Sequence, residues 1–358
     1  MNWVKDRYIE GTFGKFEFRN RLALFDLDDT LICVKSNNDF SVDENDWKFF
    51  SSNVKNTLNK LYNDGYCLII ITNQLGISKG KTDISLWMKK VDNVCKDINL
   101  PIKLYSSIEK DRYRKPFPSF YDIICKNVTV NSAFFAGDAC GRKTDHSQDD
   151  YKFALNCKLE YMLPEELFDG KKKIDRPPIK YKVYLNKDDD KRNRLLYENQ
   201  YINVFKKKDM IIMFGQQGSG KSYMANILKY QGYVVISNDI LGTKAKCLKT
   251  CKQELIKGSN VIIDNTNGKK ENRKEYIDLA KEYGYSVKCF VMECNKDLAI
   301  HNTLYRMYRN EDAKKIPDVA VNTYLKHRED VTKDEGFDEV VKMNFTPPDN
   351  DAYYYYFE

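Results

Sequence analysis

Apolar residues in this chain gather into short continuous runs set between long polar stretches. The first half contains Arg21-Leu-Ala-Leu-Phe25, Cys67-Leu-Ile-Ile-Ile71 and Ala133-Phe-Phe-Ala136, and the second contains Met210-Ile-Ile-Met-Phe214, Gly232–Ser237, Asn260-Val-Ile-Ile263 and Ser286–Met292. Runs this short and this unbroken predict buried strands. Between them, helices are predicted near Asn53–Asp64, from Pro164, over Tyr223–Tyr230 and over Leu298–Arg309, with a hairpin around Asn37–Trp47. Strands that alternate with helices predict an α/β fold. The expectation is two doubly wound parallel-sheet domains, at 1–169 and 195–358. They are joined by a charged, proline-marked linker at 170–194 that contains Lys171–Lys173, Pro177-Pro178, Asp188–Asp190 and Lys191–Arg194, with Leu195–Phe205 as a helix on the second domain.

Length supports the division, because 358 residues exceed what one core usually serves, and 42% hydrophobic content can fill two. No apolar run has the length of a bilayer span, and Met1–Arg7 lacks the apolar segment of a signal peptide, so a soluble, intracellular protein without a membrane partner is expected. The ten cysteines are scattered singly with only three histidines beside them, which predicts reduced thiols rather than a disulfide framework or a zinc site. A formal charge of +7, from 59 Lys and Arg against 52 Asp and Glu, permits an anionic partner without requiring one.

The most specific chemistry lies at Gly215-Gln216-Gln217-Gly218-Ser219-Gly220-Lys221-Ser222, between a predicted strand and a predicted helix. Backbone N–H groups of such a loop turn towards an anion, and the helix N-terminus adds partial positive charge. Lys221 is placed for the β/γ-phosphates and Ser222 for Mg²⁺. This predicts a nucleoside triphosphate site. Asp239, past the next strand, faces the loop as a candidate general base, although its place ahead of Ile240-Leu241 also suits a helix N-cap. Asp264 and Asn265 end the strand after that, the first for metal-bound water and the second for phosphate or substrate. Arg306 and Arg309 share a helix face, and Arg306 is the candidate for the transferred phosphoryl group.

The first half carries a second constellation at its strand ends. Asp26 and Asp28 follow Phe25, one residue apart, and strand alternation would face both to the same side, where they could hold Mg²⁺ while one attacks phosphorus and the other moves a proton. Thr72-Asn73-Gln74 offers a hydroxyl and amides for phosphate oxygens. Lys115, ahead of a proline expected to open a helix, offers a cation, and Asp138 offers a further metal carboxylate. That succession resembles the haloacid dehalogenase superfamily of phosphatases. The resemblance implies Asp26 as nucleophile, Asp28 as general acid/base, Thr72 and Lys115 as phosphate-positioning groups and Asp138 as a Mg²⁺ ligand, with Asp145 or Asp149 supporting the metal. The intervals 31–67 and 74–112 have no room for a cap domain, and an open site suits the end of a polymer.

Taken together, residues from about Arg21 to Glu358 resemble the bifunctional polynucleotide kinase/3′-phosphatases of DNA end repair. The similarity runs through Thr72–Lys81, Tyr113-Arg-Lys-Pro116, Gly137–Arg142, Phe153–Asn156, Pro164-Glu-Glu166, Asp239–Gly242, Asp264-Asn-Thr-Asn267 and His301-Asn302. It implies removal of 3′-phosphates and ATP-dependent phosphorylation of 5′-hydroxyls, with Mg²⁺ as cofactor. The implied partners are nucleic-acid ends, DNA ahead of RNA, and a ligase downstream; the implied state is a monomer, with nuclear or other repair-site residence left open. A metabolite phosphatase/kinase pair and an inactive end-binding scaffold are the alternatives. Asn238 stands where the family often has Arg, the segment from Arg142 to Asp145 is shorter than in animal members, and no forkhead-associated domain precedes Asp26.

Overall fold

The computed structural model describes residues 1–36, 38, 40–179, 208–313, 315–344 and 355–357. They fall into two compact units, the first comprising Met1–Tyr181, Met307–Lys314 and Tyr354–Glu358, the second Lys182–Arg306 and Lys315–Tyr353.

The first unit is built on a seven-stranded sheet in the order β1-β2-β7-β6-β3-β8-β9. Its strands are β1 (Asn2–Lys5), β2 (Ile9–Phe13), β3 (Arg21–Phe25), β6 (Tyr66–Asn73), β7 (Ile102–Ser107), β8 (Ser132–Ala136) and β9 (Glu160–Met162); β4 (Ile32–Cys33) and β5 (Lys48–Phe49) form a separate small hairpin. From β7 to β9 every pairing is parallel. Side-chain alternation divides the core between the two faces of this sheet. Ala23, Phe25, Leu68 and Ile70 pack with Val54, Leu58, Trp87, Val91 and Val94 from the helices Val54–Asn63 and Ile84–Ile98. Leu22, Leu24, Ile69 and Ile71 pack with Phe120, Ile124, Phe153 and Ala154 from the helices Ser119–Asn127 and Asp149–Asn156. Burial on both faces is why these strands read as unbroken apolar runs.

Two features depart from expectation. Ahead of the first predicted strand, β1 and β2 form an antiparallel hairpin, and β2 extends the sheet antiparallel to β7. A side chain on Gly11 would come within 2.7 Å of the Trp3 ring, so the close approach of the two strands requires glycine there. The helix expected to open at Pro116 instead starts at Ser119, after Pro118, and the Lys115–Pro116 peptide is cis. Residues 170–179 of the expected linker have no helix or strand, and Arg176 reaches back to Glu166 at 2.6 Å. The rest of that linker and the expected helix Leu195–Phe205 lie outside the described residues.

The second unit holds a five-stranded, wholly parallel sheet in the order β11-β12-β10-β13-β14. Its strands are β10 (Asp209–Phe214), β11 (Val234–Ile236), β12 (Val261–Ile263), β13 (Ser286–Glu293) and β14 (Glu339–Asn344). Met210, Ile212, Ile236 and Ile263 meet Cys247, Cys251 and Tyr276 on one face. On the other, Ile211, Met213 and Ile262 meet Met224, Ala225 and Leu228. Both units are therefore α/β with helices on each face of a largely parallel sheet. All ten cysteines are free thiols, most of them buried, and no helix among the described residues is long and apolar enough to cross a membrane.

Candidate active sites

In the first unit the adjacent strands β6, β3 and β8 deliver Thr72, Asp26 and Asp138 to one edge of the sheet, at the carboxyl ends where open parallel sheets bind ligands. The Asp26 N–H donates to the Ala136 carbonyl at 2.8 Å, which ties the turn after β3 to β8. Carboxylate oxygens of Asp26, Asp138 and Asp150 all lie within 4.8 Å of one another. Lys115, 2% exposed, donates through Nζ to Asp26 Oδ1 at 2.5 Å and pairs with Asp150 Oδ1 at 2.7 Å. Burial alone would depress the lysine, and Asp150 and Asp26 outweigh it, so the ammonium is held above its ordinary range. One cation does not neutralise three carboxylates. Burial pushes Asp26 up to about 7 even against Lys115, and burial with Asp150 and Asp26 pushes Asp138 up to about 8. A crowded group of hard oxygen donors short of positive charge fits Mg²⁺.

Asp150 is the member that sequence reasoning missed. It sits in the first turn of the helix Asp149–Asn156, and its Oδ2 accepts from the Ala139 N–H at 3.1 Å. A side chain at Gly137 would come within 2.4 Å of that same carboxylate oxygen, so the glycine before Asp138 is the sequence signal of its approach. Asp145 and Asp149, expected to support the metal, lie outside the group of three itself. Asp145 accepts from the N–H groups of Cys140 and Arg142, both at 3.0 Å, and from Arg142 Nε at 2.9 Å, and despite partial burial these donors hold its carboxyl below the usual range. Asp149 lies beside Asp150 but outside the group.

Asp28 also lies outside it, contrary to the expected pairing of two metal carboxylates. The alternation argument fails because β3 ends at Phe25 and the chain turns, with Asp29 at a φ of 54°. Asp28 accepts from Gln74 Nε2 at 2.7 Å and from Lys90 Nζ at 3.2 Å. The same Gln74 Nε2 donates to Thr72 Oγ1 at 2.9 Å, so the acid/base candidate and the hydroxyl share one amide. Asn73, expected on phosphate, uses its side chain on the Lys115 backbone: Nδ2 donates to the carbonyl at 3.1 Å and Oδ1 accepts from the N–H at 2.9 Å.

In the second unit β10, β11 and β12 are neighbours, and their carboxyl ends carry the Gly-rich loop, Asp239 and Asp264. The loop leads into the helix Lys221–Lys229 with Gly218 and Gly220 at φ values of 80° and 92°. A side chain at Gly218 would approach the Ala299 carbonyl to 2.2 Å, and Asn302 Nδ2 donates to the Gly218 carbonyl at 2.9 Å. Lys221 is 8% exposed and donates to the Gln216 carbonyl at 2.7 Å. Burial lowers its ammonium to about 8 against the pull of Asp264 and Asp239, and the charge of Arg306 adds to the lowering. Asp264 is raised by burial and accepts from Ser222, while its Oδ1, Ser219 Oγ and the side-chain oxygens of Gln216 and Gln217 are buried without a hydrogen-bond partner among the described residues. Such orphaned polar atoms around a buried lysine fit a site for a triphosphate and its cation.

Asp239 is exposed on the short helix Asn238–Leu241, and Ser237 is the N-cap, its Oγ accepting from the Ile240 N–H at 3.3 Å. Asn265 does not face open solvent as a free amide: its Oδ1 accepts from the Asn238 N–H at 2.8 Å. Asn267, buried at a φ of 47°, donates to the Met213 carbonyl at 2.7 Å and joins the β12 end to β10. Arg306 and Arg309 are both exposed.

Residues 21–168 match the family model described as polynucleotide kinase 3 phosphatase, and residues 210–331 match one described as an AAA domain. The bifunctional polynucleotide phosphatase/kinase of Schizosaccharomyces pombe is 33% identical over 354 residues, covering 96% of this chain and 85% of the relative. A relative from Acanthamoeba polyphaga mimivirus is also 33% identical, over 388 residues, covering 96% of this chain and 90% of its own length. The polynucleotide 3′-phosphatase of Saccharomyces mikatae is 28% identical over 210 residues, covering 41% of this chain and 84% of the relative. With identity above 30% along nearly the whole of both sequences, the chain belongs to the bifunctional polynucleotide phosphatase/kinase family.

Proposed function

We propose that the first unit removes the 3′-phosphate from a nucleic-acid end and that the second transfers the γ-phosphate of ATP to a 5′-hydroxyl. The phosphatase is assigned to 1–169 and the kinase to 195–358. The observation that supports this most is the Asp26–Lys115–Asp150–Asp138 cluster beside Asp28, with Lys221 and Asp239 at the corresponding sheet edge of the other unit.

In the phosphatase, Asp26 attacks phosphorus while Lys115 and Thr72 position the phosphoryl oxygens, and the P–O3′ bond breaks as Asp28 gives its proton to the departing oxygen. Asp28 then takes a proton from the water that cleaves the aspartyl phosphate, so Asp26 is restored and inorganic phosphate leaves. In the kinase, Asp239 accepts the proton of the 5′-hydroxyl as its oxygen bonds to the γ-phosphorus and ADP departs, with Lys221 and Arg306 balancing charge on the phosphoryl oxygens. Asp26, Asp138 and Asp150 in one unit, and Ser222 and Asp264 in the other, would hold Mg²⁺, which when bound would supply neutralising charge at the phosphoryl group.

The products, a 3′-hydroxyl and a 5′-phosphate, are the ends that a ligase requires, which makes a ligase the downstream partner and a monomer sufficient. The test is turnover on matched DNA and RNA oligonucleotides bearing a 5′-hydroxyl and a 3′-phosphate, beside a panel of phosphorylated metabolites. Healing of the oligonucleotide ends supports the reading; turnover of metabolites alone, or end binding without turnover, sinks it.

A further inference from the structure

Helix Ile84–Ile98 places Trp87, Val91 and Val94 in the apolar core of the first unit, and Lys90 lies on the same face at the spacing of a helical stripe. Its side chain is only 8% exposed. A lysine in an apolar stripe loses hydration that a leucine or methionine would not, so its place there calls for partners. The partners point to the active site: Nζ donates to Asp28 Oδ1 at 3.2 Å and to Ser41 Oγ at 3.3 Å. Ser41 is held in turn. Asp46 closes its loop by accepting from the Ser36 N–H at 2.7 Å and the Val42 N–H at 3.0 Å, and Asn93, one turn along from Lys90, donates to the Glu44 carbonyl at 3.3 Å. From the opposite side Gln74 grips the other oxygen of Asp28. Asp28 itself is 44% exposed, so burial does not fix its orientation.

We propose that Lys90 is a positioning residue for proton transfer in the phosphatase: braced by Ser41, it sets the direction in which Asp28 presents its carboxyl group to the departing 3′-oxygen. The inference rests on the reading of Asp28 as the acid/base. In the step concerned an Asp26 oxygen bonds to phosphorus, the P–O3′ bond breaks, and the Asp28 proton goes to O3′. A poor leaving group such as a sugar alkoxide needs that proton, whereas p-nitrophenolate departs without it. Loss of orientation therefore has a leaving-group signature that loss of structure does not.

The experiment compares kcat/KM of the full chain with Mg²⁺ on a 3′-phosphorylated oligonucleotide and on p-nitrophenyl phosphate, because this ratio reports the steps up to phosphoryl transfer to Asp26. A urea melt of the same preparation monitors folding of the first unit. Lys90→Met is expected to lower kcat/KM on the oligonucleotide about 10- to 100-fold, part of the roughly 10²- to 10⁴-fold that a positioned acid contributes, and to change p-nitrophenyl phosphate hydrolysis by less than about threefold. Lys90→Arg should recover part of the loss, and Ser41→Ala should show the same pattern at smaller amplitude. Equal losses on both substrates, or no loss on the oligonucleotide, overturn the proposal. If Lys90→Met unfolds the first unit, Ser41→Ala and Lys90→Arg decide by the same criterion. Failure of the underlying functional reading would look different: wild-type protein that hydrolyses p-nitrophenyl phosphate but no 3′-phosphorylated end.

Discussion

Asp150→Asn separates the chemical from the structural role of the residue that the sequence reading overlooked. The change removes one negative charge from three carboxylates that share one ammonium, and keeps an oxygen for the Ala139 N–H. Two opposing effects set its stability. Breaking a buried ion pair typically costs about 3–5 kcal/mol because a charge is left uncompensated, and the Lys115–Asp150 contact joins side chains that are each 2% exposed. Lys115 nevertheless retains Asp26 at 2.5 Å. Asp150 is also among the charges that push Asp26 to about 7 and Asp138 to about 8, and each pKa unit relieved returns about 1.4 kcal/mol. The two effects oppose each other, so unfolding of the first unit should shift by less than about 4 kcal/mol in urea or thermal melts, short of the full cost of an uncompensated break. Activity has no such compensation. Phosphatase turnover should fall about 10²-fold or more, the scale of losing a preorganised electrostatic group, with a higher Mg²⁺ requirement and an unchanged kinase. Phosphatase activity within about threefold of wild type at the same Mg²⁺ requirement would refute the reasoning, as would destabilisation beyond about 4 kcal/mol.

Three further outcomes follow from the geometry. Asp26 and Asp138 have folded pKa values raised to about 7 and 8, so their stabilising contribution is complete below the ordinary carboxylate range and is lost as pH rises through 7 to 8. Without Mg²⁺ the melting temperature of the first unit should fall across that window, and the Mg²⁺-induced increment should grow with pH; an equal increment at pH 5.5 and 8 would argue against a carboxylate metal site. Gly218→Ala drives a side chain to 2.2 Å from the Ala299 carbonyl at a φ of 80°, so ATP binding should be lost while 3′-dephosphorylation persists, as filter binding and end-labelling would register. Asn73→Ala frees both backbone groups of Lys115; at about 1 kcal/mol for each hydrogen bond, unfolding by urea should report a loss of roughly 2 kcal/mol, with slower phosphatase turnover and an intact kinase.

Features that depend on the local chain were legible before the structure. Phe25, Ile71 and Ala136 end unbroken apolar runs because their strands are buried on both faces, and those runs located Asp26, Thr72 and Asp138 at one sheet edge. The Gly-rich loop announced itself because Gly218 has no room for a side chain. What escaped depends on distant partners. Asp150 stands in a helix's first turn beside Asp149, where acidic residues are common for reasons of helix dipole alone. Asn73 looked like a phosphate ligand because nothing nearby in sequence shows that it clamps Lys115. Asp28 was paired with Asp26 by extending strand alternation past Phe25, where the strand has already ended. The N-terminal hairpin escaped because β1 is short and mostly exposed, so its pattern carries little apolar signal.

The most direct test of two independent chemistries on one chain is end analysis of a single oligonucleotide carrying a 5′-hydroxyl and a 3′-phosphate, treated with Asp26→Asn or Lys221→Ala protein in the presence of ATP and Mg²⁺. The account predicts a 5′-phosphorylated product that keeps its 3′-phosphate from the first variant, and a 3′-hydroxyl product that keeps its 5′-hydroxyl from the second. A single substitution that abolishes both reactions in protein that remains folded would contradict it.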